Sequence, residues 1–244
     1  RALAYPRGRT LGGCSSINGM IYMRGQSRDY DQWRQLGNTG WGWDDVLPYF
    51  MKSEDQAAVP TDDMHAAGGE WRVENQRLSW EVLDAFQDAA AQTGIPKTND
   101  FNRGDNHGCG YFHVNQRTGT RWSTSRGFLK PVRKRSNLTV LTHAEADKIQ
   151  LDGRRVTGLA LRHKGAPASV RIEGELILSA GSIGSPQILE LSGIGNPDVL
   201  GAHGIKTVHE LPGVGENLQD HLQVRCAYKV TGVETLNERA NKLL

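Results

Sequence analysis

Gly8-Arg9-Thr10-Leu11-Gly12-Gly13-Cys14-Ser15-Ser16-Ile17-Asn18-Gly19 is the stretch on which the reading of this chain turns. Glycines at 8, 12, 13 and 19, with Ser15, Ser16 and Asn18 between them, describe a backbone that bends through positive φ and approaches something polar. Chain without bulky side chains exposes consecutive N–H groups, and such concavities hold phosphate or the polarised edge of a ring. Taken alone, a glycine-rich loop is more often a tight surface turn. The residues around it decide.

A second stretch lies far downstream. Leu176-Ile177-Leu178-Ser179-Ala180 is apolar on both faces, as a buried parallel strand is. It runs into Gly181-Ser182-Ile183-Gly184-Ser185-Pro186-Gln187-Ile188-Leu189-Glu190-Leu191-Ser192-Gly193-Ile194-Gly195. Ser185 as N-cap with Pro186 at the first position predicts a helix over 186–191 ended by Gly193. Ligand phosphates sit at such strand-loop-helix junctions.

Together these two stretches resemble the two signatures of the glucose-methanol-choline (GMC) oxidoreductases, FAD enzymes that oxidise alcohols. The likeness to the first continues through Met20-Ile21-Tyr22-Met23-Arg24-Gly25, Asp29-Tyr30-Asp31-Gln32-Trp33 and Gly40-Trp41-Gly42-Trp43-Asp44-Asp45-Val46-Leu47-Pro48-Tyr49-Phe50. Leu211-Pro212-Gly213-Val214-Gly215-Glu216-Asn217-Leu218-Gln219-Asp220-His221 is a further family-like phrase. Two separated motifs in the right order are more specific than one loop. The phrasing is similar to the choline dehydrogenase branch, and the likeness makes the 244 residues the middle of a family member.

The resemblance implies an α/β chain, α+β overall, made of a partial FAD-binding Rossmann-like domain and part of an antiparallel-sheet substrate domain. Its segments would be 1–30 and 136–222 in the FAD domain, 31–135 helical, loop and substrate-domain chain, and 223–244 the start of the substrate sheet. Thr10, Gly12 and Gly13 would bring amides to the flavin's pyrophosphate and ribityl region, and Asn18, Gly19, Met20 and Ile21 would line the isoalloxazine. Ala146, in a turn after a strand over 138–142, would pair with the adenine edge. Ala180, Gly181 and Ser182 would lie against the cofactor. A histidine stands at the position of Ile17 in relatives with covalent flavin, and isoleucine cannot bond to the flavin methyl, so the FAD would be non-covalent. Cys14 replaces a serine or glycine and reads as a small buried apolar residue.

The implied reaction is removal of an alcohol's hydroxyl proton by a base with hydride transfer to flavin N5, giving an aldehyde from a choline-like or other primary alcohol. The family's catalytic histidine belongs to a C-terminal context that none of the eight histidines occupies, and no G-x-G-x-x-G occurs. Hence no catalytic residue is named. Oxidase against dehydrogenase and the electron acceptor stay open. The alternative from another class is a truncated product, catalytically inactive, with at most weak nucleotide binding. A serine hydrolase is excluded, because residues 181–185 do not spell G-x-S-x-G.

Composition agrees with a small-molecule enzyme. Twenty-nine basic and 27 acidic residues leave a formal charge of +2, too little for nucleic acid or an acidic membrane. No apolar run reaches the roughly 18 residues of a membrane span. Three widely spaced cysteines argue for a reduced compartment and no structural metal. The opening residues have neither a start methionine nor an apolar signal core, so no targeting segment is expected, and the location expected is cytoplasmic, free or peripheral to the membrane.

Local patterns complete the expectation. Helices are predicted over 31–36, over 44–50 with Asp44 as cap and Pro48 near the first turn, and over 79–93 with Ser79 as N-cap. Trp33, Trp41, Trp43, Tyr49 and Phe50 read as core packing. Residues 55–69 and 99–110 read as loops, with His107 and Cys109 incidental. A helical turn is expected over 123–129 and a short helix over 198–203. Strands are expected over 138–142, 148–151, 156–163, 169–172, 175–179 and 224–230, with Asp152-Gly153 as a hairpin turn.

Overall fold

Residues 4–241 are described by the structure, a computed structural model, and they fall into two units: one runs to Leu138 and resumes at Tyr228, the other is Thr139–Ala227.

The first unit opens with the glycine loop and then α1 (Ser27–Gln35) and α2 (Trp43–Ser53). Each helix is started by an acid three residues inside it. Asp29 accepts from Gln26 N at 2.8 Å, and Asp45 accepts from Gly42 N at 2.9 Å. The expected Asp44 cap is thereby corrected: Asp44 lies in the first turn and Asp45 does the capping. Pro48 stands deeper than expected, inside the helix, where its missing N–H leaves the Asp44 carbonyl without its helical donor. Tyr30 packs edge-on against Trp33 and Phe50 and tilted on Trp43, whose ring is buried. Trp33, Trp41 and Tyr49 stay exposed, so only part of the aromatic cluster is core.

β1 (Glu54–Gln56) pairs in parallel with β2 (Trp71–Asn75), and β2 pairs antiparallel with the short β3 (His113–Val114). The chain leaving the glycine loop joins this sheet: Ile21 bridges Val114, Tyr22 N donates to His113 O, and Asn115 N donates to Met20 O. α3 (Glu81–Gln92) begins at Trp80 and not at Ser79, because the Trp80 carbonyl takes the first amides, those of Leu83 and Asp84. Ala90 of this helix is buried, while Leu83 and Phe86 are exposed. β4 (Gln116–Arg117) and β5 (Thr120–Arg121) form a hairpin whose two turn residues, Thr118 and Gly119, both take positive φ. A wide helical turn, Ser125–Leu129, then leads into α4 (Lys130–Val132), and Phe128 stacks on Trp71.

In the second unit, β6 (Ala144–Asp152), β7 (Arg155–His163) and β8 (Ala166–Arg171) form an antiparallel meander. The expected turn is there, with Gly153 at φ 55°. α5 (Gly181–Leu191) packs on β6, and its end is fixed by Ser192, whose hydroxyl donates to Ile188 O and accepts from Ile149 N. β9 (Ile194–Gly195), α6 (Pro197–Ala202) and β10 (His209–Glu210) follow. Asn196 caps α6 through Asp198 N at 2.9 Å. α7 (Leu236–Asn241) belongs to the first unit, where Arg239 lies over the Trp80 ring.

Five sequence expectations fail here. Residues 138–142, 175–179 and 224–230 are not strands. A strand exists only through its neighbours, and none of the described residues pairs with these; Ile177 is 79% exposed. Ser185 is not the cap of the helix after residue 180. Gly181, at φ 87°, lets the helix start at once, and Ser185 Oγ reaches back to accept from Ala180 N at 3.0 Å, which leaves Pro186 inside the helix. Ala146 accordingly lies within β6, opposite Leu161, and not in a turn.

Candidate functional site

The glycine loop turns on two close approaches. A Cβ on Gly8 would stand 2.2 Å from Gly13 O, and one on Gly12, at φ 92°, would meet Ser16 Oγ at 2.5 Å. These two glycines close the loop on itself. Gly13, at φ 54°, and Gly19 have nothing within 4 Å of a Cβ position. Their role is toward the outside. The amides of Leu11, Gly12 and Gly19 donate to no acceptor among the described residues. An open strip of glycine backbone carrying undonated N–H groups fits the phosphates and polar ring edge of a dinucleotide.

Side chains hold this strip from behind. Thr124 N donates to Ser15 Oγ at 3.0 Å, and Thr124 Oγ1 donates to Gly12 O at 3.2 Å. Arg121 Nη1 donates to Ser15 O at 3.1 Å and to Asn18 Oδ1 at 2.9 Å. Asn18 Oδ1 also accepts from Met20 N, which fixes Met20 at φ 65°. None of Thr10, Gly12, Gly13, Asn18, Gly19, Met20 and Ile21 is buried, and Ile21 is half exposed. Cys14 corrects its expectation: it is exposed, and its sulfur accepts from Gly8 N at 3.4 Å. Arg121 and Thr124 escape a sequence reading, because nothing in Thr120-Arg121-Trp122 marks a loop anchor.

Ala146, Ala180 and Gly181 belong to the second unit, on the touching elements β6 and α5. The N-terminal turns of α5 border a cavity of about 490 Å³ lined by Ser182, Ile183, Ser185, Glu190 and the stretch from Gly213 to Glu216. Gly215, at φ 82°, leaves room there for the Glu190 carboxylate, which a Cβ would meet at 2.7 Å. Helix amides and dipole at that end suit an anionic group.

Beneath the segment that follows the loop lies a buried polar assembly that the sequence did not announce. Arg24, Glu54, His65, Asn102 and His113 are all buried. Arg24 Nη2 stands 3.0 Å from Glu54 Oε2 as an ion pair at an angle outside hydrogen bonding, while its Nη1 donates to Met64 O at 2.7 Å. His65 Nδ1 lies 3.2 Å from Glu54 Oε2, and His65 Nε2 lies 3.0 Å from Asp100 Oδ2. Burial alone would hold the His65 pKa down, but the Asp100 and Glu54 carboxylates outweigh it and raise the pKa to about 9. Asp100 falls to about 2: burial opposes this, and the His65 hydrogen bond and the Asn102 amide overcome it. Burial lowers His113, outweighing the Asp100 charge and the backbone contact with Asn99 that would raise it, and burial raises Tyr22 to about 12. At neutral pH two cations therefore face two carboxylates.

No group of three or more His, Cys, Asp or Glu among the described residues could hold a metal ion, and no described helix is long and apolar enough to cross a membrane.

Comparison with known proteins follows the same lines. Residues 1–223 match the profile of the GMC oxidoreductases. An oxygen-dependent choline dehydrogenase of Photobacterium profundum is 43% identical over 243 residues, 98% of this chain and 42% of the relative. An alcohol dehydrogenase [acceptor] of Pseudomonas putida is 40% identical over 92% of this chain and 41% of its own length. Among solved structures, an FAD-dependent oxidoreductase from Chaetomium thermophilum superposes with a TM-score of 0.82 at 32% identity, covering 88% of this chain and 39% of that one. The chain thus spans about two fifths of the length of these relatives, and its mixed helix-and-sheet fold is that of part of such a flavoprotein.

Proposed function

Because this chain belongs to the GMC oxidoreductase family, we propose that it is the FAD-cradling part of an enzyme that oxidises an alcohol to an aldehyde. The observation that carries the reading is the open backbone strip at Gly13 and Gly19, with the amides of Leu11, Gly12 and Gly19 undonated. Thr10, Gly12 and Gly13 would hold the pyrophosphate and ribityl region, and Asn18, Gly19, Met20 and Ile21 the isoalloxazine. In the second unit, taken by itself, Ala146 would pair with the adenine edge, and Ala180 and Gly181 would lie against the cofactor. When bound, FAD supplies the two-electron acceptor that side chains lack. The chain's own contribution is fixed amide dipoles, which stabilise negative charge on a ring edge without rearranging.

Ile17 occupies the position at which covalent relatives bear histidine, and it is half exposed with no nucleophile, which supports non-covalent FAD. The names of the relatives support an alcohol substrate, choline-like among the candidates, and the location proposed is cytoplasmic, free or peripheral to the membrane. The test is fluorescence titration of the chain with FAD, then acid precipitation. Micromolar or tighter binding, with all flavin released to the supernatant, is expected. Binding weaker than millimolar would instead favour an inactive nucleotide-binding remnant, and flavin retained in the pellet would defeat the non-covalent reading. For the whole protein, alcohol-dependent bleaching of the flavin band tests the activity.

A further inference from the structure

Met20 is held at φ 65°, a left-handed conformation that is unfavourable for a non-glycine residue, so it lasts only if the chain on both sides is pinned. On one side the pin is Arg121 through Asn18. On the other it is first the sheet, where Met20 O accepts from Asn115 N and Tyr22 N donates to His113 O, and then, at Arg24, the buried assembly. Asn102 Oδ1 accepts from Arg24 N at 2.7 Å, and Asn102 is itself set by Asp100 Oδ1, which accepts Asn102 N at 2.9 Å. Asp100 and Glu54 are in turn drawn together by the imidazole of His65, which lies between them. Glu54 then faces the Arg24 guanidinium.

We propose that His65, as an imidazolium clamped between Glu54 and Asp100, is a positioning residue for the cofactor loop, acting through Asn102 and Arg24 on the segment 20–24. The proposal rests on the flavin reading of that loop. Its physical basis is charge balance. Arg24 and His65 neutralise Glu54 and Asp100 in a dry interior; with His65 deprotonated, one carboxylate charge is left buried and uncompensated. The groups facing His65 are Glu54 and Gln56 on β1, His113 on β3, Asp100 on its loop with Arg103 3.7 Å beyond, Asp62, which accepts His65 N and holds Arg103 at 2.8 Å, and Arg24 with Tyr22 on the segment being positioned. None offers a replacement cation on the Asp100 side except the half-exposed Arg103. Relaxation therefore travels to Asn102 and Arg24, and Met20 loses one of its pins.

The test is an NMR titration of the protein without FAD, paired with FAD affinity by fluorescence over pH 7–10.5. Expected is one midpoint near 9, shared by the His65 ring protons and the amides of residues 20–24, with FAD affinity falling between about 5-fold and 150-fold across it. H65Q should abolish the common midpoint and weaken FAD at pH 7 by a similar factor; where H65Q does not fold, D100N should move the midpoint down. Amides of residues 20–24 that ignore the His65 titration would overturn the proposal. So would an H65Q protein that melts earlier but binds FAD as the parent does. Failure to bind FAD at every pH defeats the flavin reading instead, and the amide titration then decides the coupling by itself.

Discussion

Arg121 and Asn18, 103 residues apart in sequence, meet at 2.9 Å, and the same guanidinium nitrogen donates to the Ser15 carbonyl. A charged group from the β4–β5 hairpin thus sets the back of the glycine loop. R121Q removes the charge-assisted bonds without leaving a buried ion. FAD affinity is expected to fall by roughly 10-fold to 100-fold, the worth of one or two bonds to a charged donor. Thermal unfolding of the protein without cofactor should change little, since Arg121 is only half-buried. Titration of flavin fluorescence checks the first half and calorimetry of the cofactor-free protein the second, and unchanged affinity would remove Arg121 from the site.

The four loop glycines should separate into two classes. At Gly8 an added methyl meets backbone, Gly13 O at 2.2 Å, so G8A must deform the loop. At Gly13 the methyl enters open space and costs about 1 kcal/mol for its positive φ. G8A is expected to lower the melting temperature and abolish FAD binding, whereas G13A should melt within a few degrees of the parent and still bind FAD poorly. Calorimetry beside flavin titration distinguishes them; equal losses of stability would refute the division of labour.

What could be read in advance was what depends on local chain geometry. The glycines of residues 8–19 and 181–195 announced close backbone approach, and the 148–163 hairpin was legible from alternation and Asp152-Gly153. What could not be read was set by partners distant in sequence. Residues 175–179 have the composition of a buried strand, yet composition cannot supply the neighbouring strand that makes one. Helix starts were displaced for a similar reason. Ser79, Asp44 and Ser185 all have capping chemistry, but Trp80 O, Asp45 and Gly181 respectively met the orphan groups first. The assembly of Arg24, Glu54, His65 and Asp100 draws one residue from each of four segments, so no window of sequence contains its pattern. His65 in particular looked like a loop residue and is buried to 1%.

Ser192 joins two elements of the second unit. Its oxygen accepts the Ile149 amide of β6 at 2.8 Å while its proton goes to Ile188 O at the end of α5. S192A leaves the buried Ile149 N–H without an acceptor, a loss of roughly 1–3 kcal/mol. Urea unfolding should show a lower midpoint at unchanged slope. S192T keeps the hydroxyl and should recover most of the loss; if S192A is neutral, the α5–β6 contact is apolar in origin.

The pH dependence of stability follows from the same buried groups, with opposite signs. The folded pKa of His65, about 9, lies above its ordinary 6.5, so its contribution is complete below 6.5 and disappears as pH rises through 9. Asp100, about 2 against 3.8, contributes above 3.8 and ceases to as pH falls through 2. His113 is lowered by burial, so it is neutral in both states and without effect above 6.5, and it opposes folding below that pH, where the unfolded chain binds a proton that the folded one refuses. The melting temperature is therefore expected to peak near neutrality, to decline gently below pH 6 through His113, and to decline more steeply between pH 7 and 9 through His65. The alkaline loss amounts to roughly 3 kcal/mol for a shift of that size in a buried group. H113N should flatten the acid arm alone and H65Q the alkaline arm alone. Scanning calorimetry from pH 4 to 10 reads both, and an alkaline arm that survives H65Q would assign it to another group.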